Sequence, residues 1–372
     1  MEKDESKARA YQVIKRRLTL FHLILTPALL GILIASGWTF GMRQNAVALA
    51  AGNDWGTVAV YFALFSLFFL VFDLPLSFYS GFTLEHQFGL SNQSFGQWLV
   101  DLGKKTLLSF ALSLALLECL YLIIRRFPSS WWVLAWAAYA FVSYILGKVF
   151  PVLIVPLFYK YGRLEDKELE SRVLKLAARF DMPVENVYSL NLSKTTKKAN
   201  AAFMGIGKTK RVVLSDTLIN HFTHPEVEVV VAHELGHYKH RDVWRLLGFG
   251  LAASLIAFAA GFWGMNALAA ALSLNSPADV AGLPLLFLIF YVVNLCLMPL
   301  MNGYSRRRER AADLFALKAL ETREIFISCM EKLGGQNLAD PEPPRWYEWF
   351  FYDHPSIGKR VAMAQHWIKD EK

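Results

Sequence analysis

Six long apolar runs organise this chain: roughly Leu18–Phe40, Val58–Tyr79, Thr106–Phe127, Trp131–Phe150, Leu246–Leu272 and Pro284–Tyr304. A helix rises 1.5 Å per residue, so about 20 apolar residues cross a hydrocarbon core about 30 Å thick. Each run therefore predicts a membrane-spanning helix. The fourth continues into "PVLIVPLFYKYG", where Pro151 and Pro156 predict a kink or an end, because proline removes a backbone donor and clashes with the preceding turn. Two polar segments remain. The first, 160–242, begins with a helical stretch, "EDKELESRVLKLAARF". Strands are predicted around "NVYSLNL", "NAAFMGIG" and "RVVLSD", with "KTKR" turning the last two into a hairpin. A short helix and a histidine-rich helix follow. The second polar segment, 306–372, reads as mostly helical. The pattern divides the chain into a tail with four spans (1–159), a polar domain (160–242), two further spans (243–305) and a C-terminal helical segment (306–372).

Composition agrees with a membrane protein. Hydrophobic residues make up 55% of the 372 positions, above the 45–50% usual in soluble domains. The net charge of +8 follows from topology rather than from nucleic acid, since Lys and Arg collect at the cytoplasmic flanks of membrane helices. The N-terminal tail carries six of them, the loop after the first run only Arg43, and the loop between the last two runs none. The stretch from Lys160 to Arg245 is strongly basic, and "SRRRER" follows the sixth run. Six spans with both termini in the cytoplasm satisfy this distribution. The charged start "MEKDESKARAYQVIKRR" and the long run behind it do not form a signal peptide. Cys119, Cys296 and Cys329 are too scattered for a disulfide framework or a cysteine metal site.

Chemistry is concentrated in "HELGH". His233 and His237 stand four apart, one turn from each other on one helix face, where two imidazoles can ligate one zinc ion. Glu234 stands beside them, placed to take a proton from a water that the ion activates. Thr223 or His224 can cap this helix, Pro225 suits its first turn, and Glu226 and Glu228 favour its positive end. A five-residue pattern also arises by chance on solvated helices, so it needs support. A third ligand is offered by Glu309 in "SRRRERAADLFALKAL". Asp313, one turn further on, can accept from a ligating histidine and set its tautomer. His240 reads as solvated, and His22 and His366 lack a supporting pattern.

Taken together, "LPLSFYSGFTLEHQFGLS", "VPLFYKY", "NAAFMGIGKTKRVVLSDTLI", "HELGHYKH", "SRRRERAADLFA" and "HPSIGKR" make the chain resemble the type I CAAX prenyl endopeptidases, integral-membrane zinc proteases of the a-factor converting and prelamin A processing type. The resemblance covers nearly the whole chain. It implies a mainly α, polytopic membrane fold whose helices enclose a water-filled chamber, with a small α+β zincin-like protease domain. It implies one Zn²⁺ per chain on His233, His237 and Glu309, Glu234 as general base and Asp313 behind the ligands. His354 and Arg360 then stabilise the transition state or hold substrate, and Asn200 and Ala201 begin an edge strand that pairs with substrate backbone. The implied partners are a peptide or protein substrate, in this family lipid-modified, and the bilayer; no nucleic acid is expected. Against eukaryotic members, the resemblance implies that this sequence starts after their first membrane helix and carries no insertion before HELGH. This compact form is expected of a bacterial member in the inner membrane; a eukaryotic source would place it in the endoplasmic reticulum. In either case the site faces the cytoplasm. Two other readings compete. One is a quality-control protease of the HtpX type, which is shorter and has fewer spans. The other is a non-catalytic zinc-binding or transport protein, which would not require Glu234.

Overall fold

A computed structural model of the chain describes residues 2–182, 184, 186–204 and 211–368. The N-terminal part is built from α1 (Glu2–Ala35), α2 (Trp38–Leu49), α3 (Asp54–Phe78), α4 (Leu84–Gln87), α5 (Phe95–Arg126) and α6 (Trp131–Val149). Six stretches are long and apolar enough to cross a membrane: Ser6–Ala35, Asp54–Gln87, Phe95–Arg126, Trp131–Leu157, Asp242–Leu268 and Val280–Leu320. They lie over the six predicted runs. Their ends are displaced where polar residues continue a helix or where a glycine stops one. Gly37 is the clearest such stop. It takes φ 73°, a left-handed conformation that other residues adopt only at a steric cost. The first run therefore breaks there, and Trp38 opens a separate helix. After Val149 the helix widens into a π turn over Phe150–Ile154 and then tightens into a 3₁₀ turn over Val155–Leu157, the stretch that carries Pro151 and Pro156.

The long helices form a closed ring. Alpha-helix α1 packs on α11 (Leu283–Leu320), α11 on α10 (Asp242–Leu268), α10 on α6, α6 on α5, α5 on α3, α3 on α2 and α2 back on α1. Their most apolar windows are only 0–39% buried, as expected of a wall with two open faces rather than a solid bundle. One end of the ring is tied by Arg43, whose Nη1 lies 2.5 Å from Asp279 Oδ2 in the loop before α11. That carboxylate also accepts from the backbone of Asn275 and Ala281 (both 3.0 Å).

The polar domain packs at the other end. Strands β1 (Tyr161–Arg163), β2 (Asn186–Leu190), β3 (Ala201–Met204) and β4 (Arg211–Ser215) form one sheet in the order β1-β2-β4-β3. β3 and β4 pair antiparallel, Ala201 opposite Leu214 and Phe203 opposite Val212, as the predicted hairpin requires. Lys208–Lys210 of its proposed turn lie outside the described residues. The three-residue β1 was not predicted, being too short to show alternation. The core is shared by α7 (Lys167–Ala178), α8 (Asp216–His221), α9 (His224–Lys239), the end of α11 and α12 (Arg323–Gln336). Two short helices, α13 (Arg345–Phe351) and α14 (Ile357–Gln365), close the chain.

This layout puts the exposed residues Ser276 and Lys167 at opposite ends of the fifth and sixth spans. Ser276→Cys and Lys167→Cys, each made in a background lacking the exposed Cys119 and Cys296, will react with a membrane-impermeant maleimide from opposite sides. Reaction of both from one side would overturn the six-span arrangement. Cys329 can stay, because burial pushes its thiol up to about 12 and keeps it unreactive.

Candidate metal centre

Helix α9 starts as its sequence demands. Thr223 is the cap, with the reciprocal bond of a capping box: the Thr223 N–H donates to Glu226 Oε2 at 2.8 Å. Glu226 also accepts from Ser328 Oγ and Lys332 Nζ, each at 2.9 Å, and so fastens α12 to the start of α9. Burial raises the Glu226 carboxyl, but these bonds outweigh it and hold the group below its ordinary value.

One turn of α9 presents His233 and His237, and α11 brings Glu309 between them. His233 Nε2 and His237 Nε2 are 3.1 Å apart. Each lies 3.2 Å from an oxygen of Glu309. Ligand atoms about 2.0–2.1 Å from a tetrahedral ion stand about 3.3 Å apart, so these spacings suit such an ion. The donor set supports the same reading. Nδ1 of His233 donates to Asp313 Oδ1 at 2.8 Å, and Nδ1 of His237 to Asp242 Oδ2 at 3.0 Å. In the neutral rings both Nε2 atoms are then lone pairs aimed at each other and at a carboxylate. Glu309 Oε2 is buried and has no hydrogen bond. Such a convergence of acceptors suits a bound cation. The same excess of negative charge acts on the proton. Burial lowers the pKa of His233, yet the neighbouring Asp313 and Glu309 carboxylates prevail and, with no cation between the rings, raise it to about 9.

A further layer holds these side chains. Asp313 is fully buried and takes two bonds from Arg360 of α14, from Nε at 2.9 Å and Nη2 at 2.5 Å. Asp242 takes one from Arg308 Nε at 2.5 Å. The sequence reading anticipated Asp313 but not Asp242 or Arg308. Arg360 lies behind Asp313, with Nε and Nη2 committed there.

Gly236 sets how closely α9 and α11 approach. A Cβ there would stand 3.0 Å from Ala312 Cα, 3.2 Å from its carbonyl oxygen and 3.2 Å from Phe315 Cβ. Helix propensity alone favours alanine over glycine by about 1 kcal/mol. The backbone contact reverses the sign: Gly236→Ala will push the helices apart by a few tenths of an ångström and destabilise by about 1–3 kcal/mol. Metal retention will fall with it. A raised melting temperature with full metal content would refute the account.

His354 stands at the rim, its side chain half exposed and its Nε2 3.2 Å from Glu309 Oε2. Its Nδ1 bonds Asp353 Oδ1 at 2.8 Å, which raises its pKa although burial opposes this. Glu234, next to His233 on α9, is partly exposed, and His240 lies outside the ligand group. Ala201 opens β3, an edge of the sheet among the described residues, and Asn200 precedes it. Asn200 exchanges bonds with Ser215, its N–H to Oγ at 3.0 Å and its carbonyl from N–H at 2.9 Å. Phe203 packs against Tyr238 of α9, the rings tilted with centres 5.0 Å apart, so the edge strand runs beside the histidine helix. Helix α4 and the loop after it hold the segment that leads into β3. Leu90 O accepts from Lys197 N at 2.8 Å, Asn92 N donates to Thr195 O at 3.1 Å, and Glu85 pairs with Lys198 at 2.9 Å.

A ring of membrane helices with a three-ligand metal group and an adjacent glutamate at one end has the make-up of a polytopic membrane metallopeptidase. The comparisons agree with that class. The family model "Peptidase family M48" matches residues 163–368, and "CAAX prenyl protease N-terminal, five membrane helices" matches residues 1–160. The chain belongs to peptidase family M48 and is a membrane metalloprotease of the CAAX prenyl protease kind. An uncharacterized metalloprotease, YhfN, of Bacillus subtilis is 31% identical over 366 residues, covering 96% of this chain and 84% of its own. CAAX prenyl protease 1 of Saccharomyces cerevisiae is 29% identical over 353 residues, covering 88% and 77%. The crystal structure of S. mikatae Ste24p shares the fold, with a TM-score of 0.89, 23% identity and coverage of 98% and 90%.

Proposed function

We propose that this metalloprotease holds one zinc ion on His233, His237 and Glu309 and acts as an endopeptidase on membrane-associated or isoprenylated CAAX-type substrates. The observation that carries the proposal is the convergence of three ligand atoms, spaced for a tetrahedral ion, beside Glu234 and an open strand edge. When bound, the ion supplies Lewis-acid chemistry, polarising the scissile carbonyl and acidifying water. Glu234 takes the proton of the attacking water and passes one to the leaving amine. His354 hydrogen-bonds the developing oxyanion from the rim. Arg360 is a positioning residue: it holds Asp313, which holds the His233 tautomer. An extended substrate adds to β3 from Asn200–Ala201 and is read mainly through its main chain.

The ring of helices supports a water-filled chamber that admits lipid-borne peptides to the metal. The Lys and Arg distribution supports a site facing the cytoplasm, in a bacterial inner membrane or, for a eukaryotic source, the endoplasmic reticulum. The test is cleavage of a farnesylated CAAX peptide and its unmodified twin by purified protein in detergent. Chelator-sensitive cleavage, faster for the farnesylated peptide, is expected. Failure of the zinc-loaded protein to cut either peptide would overturn the assignment.

A further inference from the structure

A cavity of about 810 Å³ lies behind the site, between α11, α13 and α14. Helix α11 contributes Gly303, Arg307, Arg310 and Leu314, a single stripe at helical spacing next to the face that carries Glu309 and Asp313. Helix α14 contributes Lys359 and Met363, one turn apart on one face, and the chain beyond it contributes Trp367. The floor is apolar and the rim is basic.

Most of the cations at the rim are already engaged. Arg306 donates to the carbonyls of Glu348 and Trp349, each at 3.1 Å, and so closes the end of α13. Lys359 Nζ lies 2.6 Å from Glu348 Oε2, and Arg360 is held by Asp313. Arg307 and Arg310 are both exposed and have no ion-pair partner among the described residues. Two guanidinium groups one turn apart thus face a cavity that nothing neutralises. Such forks suit phosphate oxygens.

The position narrows the ligand. The sixth apolar run ends at Tyr304. At 1.5 Å per residue, Arg307 and Arg310 stand about 5 and 9 Å beyond it along the axis; the headgroup layer of one leaflet is about 5–8 Å deep, so Arg307 falls within it and Arg310 just past its outer edge, within reach of a long side chain. Aromatic and aliphatic side chains mark the same level. Trp346 and Trp349 of α13 are 54% and 59% exposed, and Ile368 beyond α14 is 83% exposed. Tryptophan concentrates where one end of a side chain is apolar and the other wet.

We propose that this groove is a binding site for an anionic phospholipid of the adjoining leaflet, its phosphodiester held by Arg307 and Arg310 and its apolar part against Leu314, Met363 and Trp367. The groove shares Asp313 and Arg360 with the metal centre, so an occupied groove presses α14 onto α11 and keeps Arg360 on Asp313. The site needs no peptide substrate.

The test uses full-length, metal-loaded protein in nanodiscs of phosphatidylcholine with and without phosphatidylglycerol, reading bound phosphatidylglycerol by native mass spectrometry after release. Arg307→Gln/Arg310→Gln should lower phosphatidylglycerol affinity about 30-fold, about 2 kcal/mol for two cations near an anionic surface, with metal content unchanged. Arg307→Lys/Arg310→Lys, which keeps the charge, should recover most of it. Arg163→Gln/Lys167→Gln, on the sheet side, should leave it unchanged. Unchanged affinity in the glutamine pair, or an equal loss in the sheet-side pair, would overturn the site. Displacement of the lipid by millimolar inorganic phosphate would overturn the lipid assignment in favour of a free-anion site.

Discussion

Glu234→Gln will lower peptide hydrolysis by at least about 10²-fold, the lower end for loss of a general base, and will leave the metal in place. Glutamine keeps the shape of the side chain but cannot take a proton. The three ligand atoms belong to other residues, and Glu234 is not among the buried groups that tie α9 to α11. Its loss therefore separates chemistry from assembly. The measurement is initial rate with the substrate that the wild type cuts, together with zinc content by elemental analysis. A variant that loses its zinc would move Glu234 into the ligand sphere. A variant with full zinc and a near wild-type rate would sink the mechanism.

The second large effect concerns the metal itself. His233→Ala, His237→Ala and Glu309→Ala will each lose most of the bound zinc and with it essentially all activity, because a three-ligand site has no redundancy. Replacement of the residues behind the ligands should be milder. Asp313→Asn and Asp242→Asn leave all three ligands but remove the acceptors that fix the imidazole tautomers, and such losses cost about 10–100-fold in metal affinity or activity. The ordering matters. Full zinc in Glu309→Ala would remove the third ligand from the assignment. Asp242→Asn with unaltered zinc affinity would reduce the Arg308–Asp242–His237 chain to packing.

The resemblance to CAAX prenyl endopeptidases and the shared fold do not carry these expectations equally far. The fold is common to the S. mikatae Ste24p crystal structure over 98% of this chain. The fate of each side chain rests on the contacts in this structure. Arg360 illustrates the difference. Its segment, "HPSIGKR", points to a place near substrate in the family resemblance, whereas in this structure its guanidinium bonds the fully buried Asp313, which favours the positioning role proposed above. Arg360→Lys should therefore change metal affinity more than substrate KM, since one ammonium cannot reproduce two fixed donors.

The sequence by itself determined the features that depend on composition and short-range period. Six spans were legible because about 20 apolar residues leave a chain no other stable place. The histidine pair was legible because positions four apart share a helix face; the sequence offered Thr223 or His224 as the cap, and the structure uses Thr223, in a capping box with Glu226. Tertiary structure decided what depends on a break in period or on two distant helices meeting. Asp242 is the sharpest case. On a continuous helix, five residues past His237 would place it about 140° around the axis, away from the metal. Arg241 instead adopts a left-handed φ of 55°, which ends α9, starts α10 and swings Asp242 back under His237. Nothing in "HYKHRDVW" announces that conformation, since a non-glycine residue takes it only when the surrounding packing offsets the steric cost. Likewise, only the close approach of α9 to α11 at Gly236 and Ala312 shows why that helix tolerates a glycine between its two histidines.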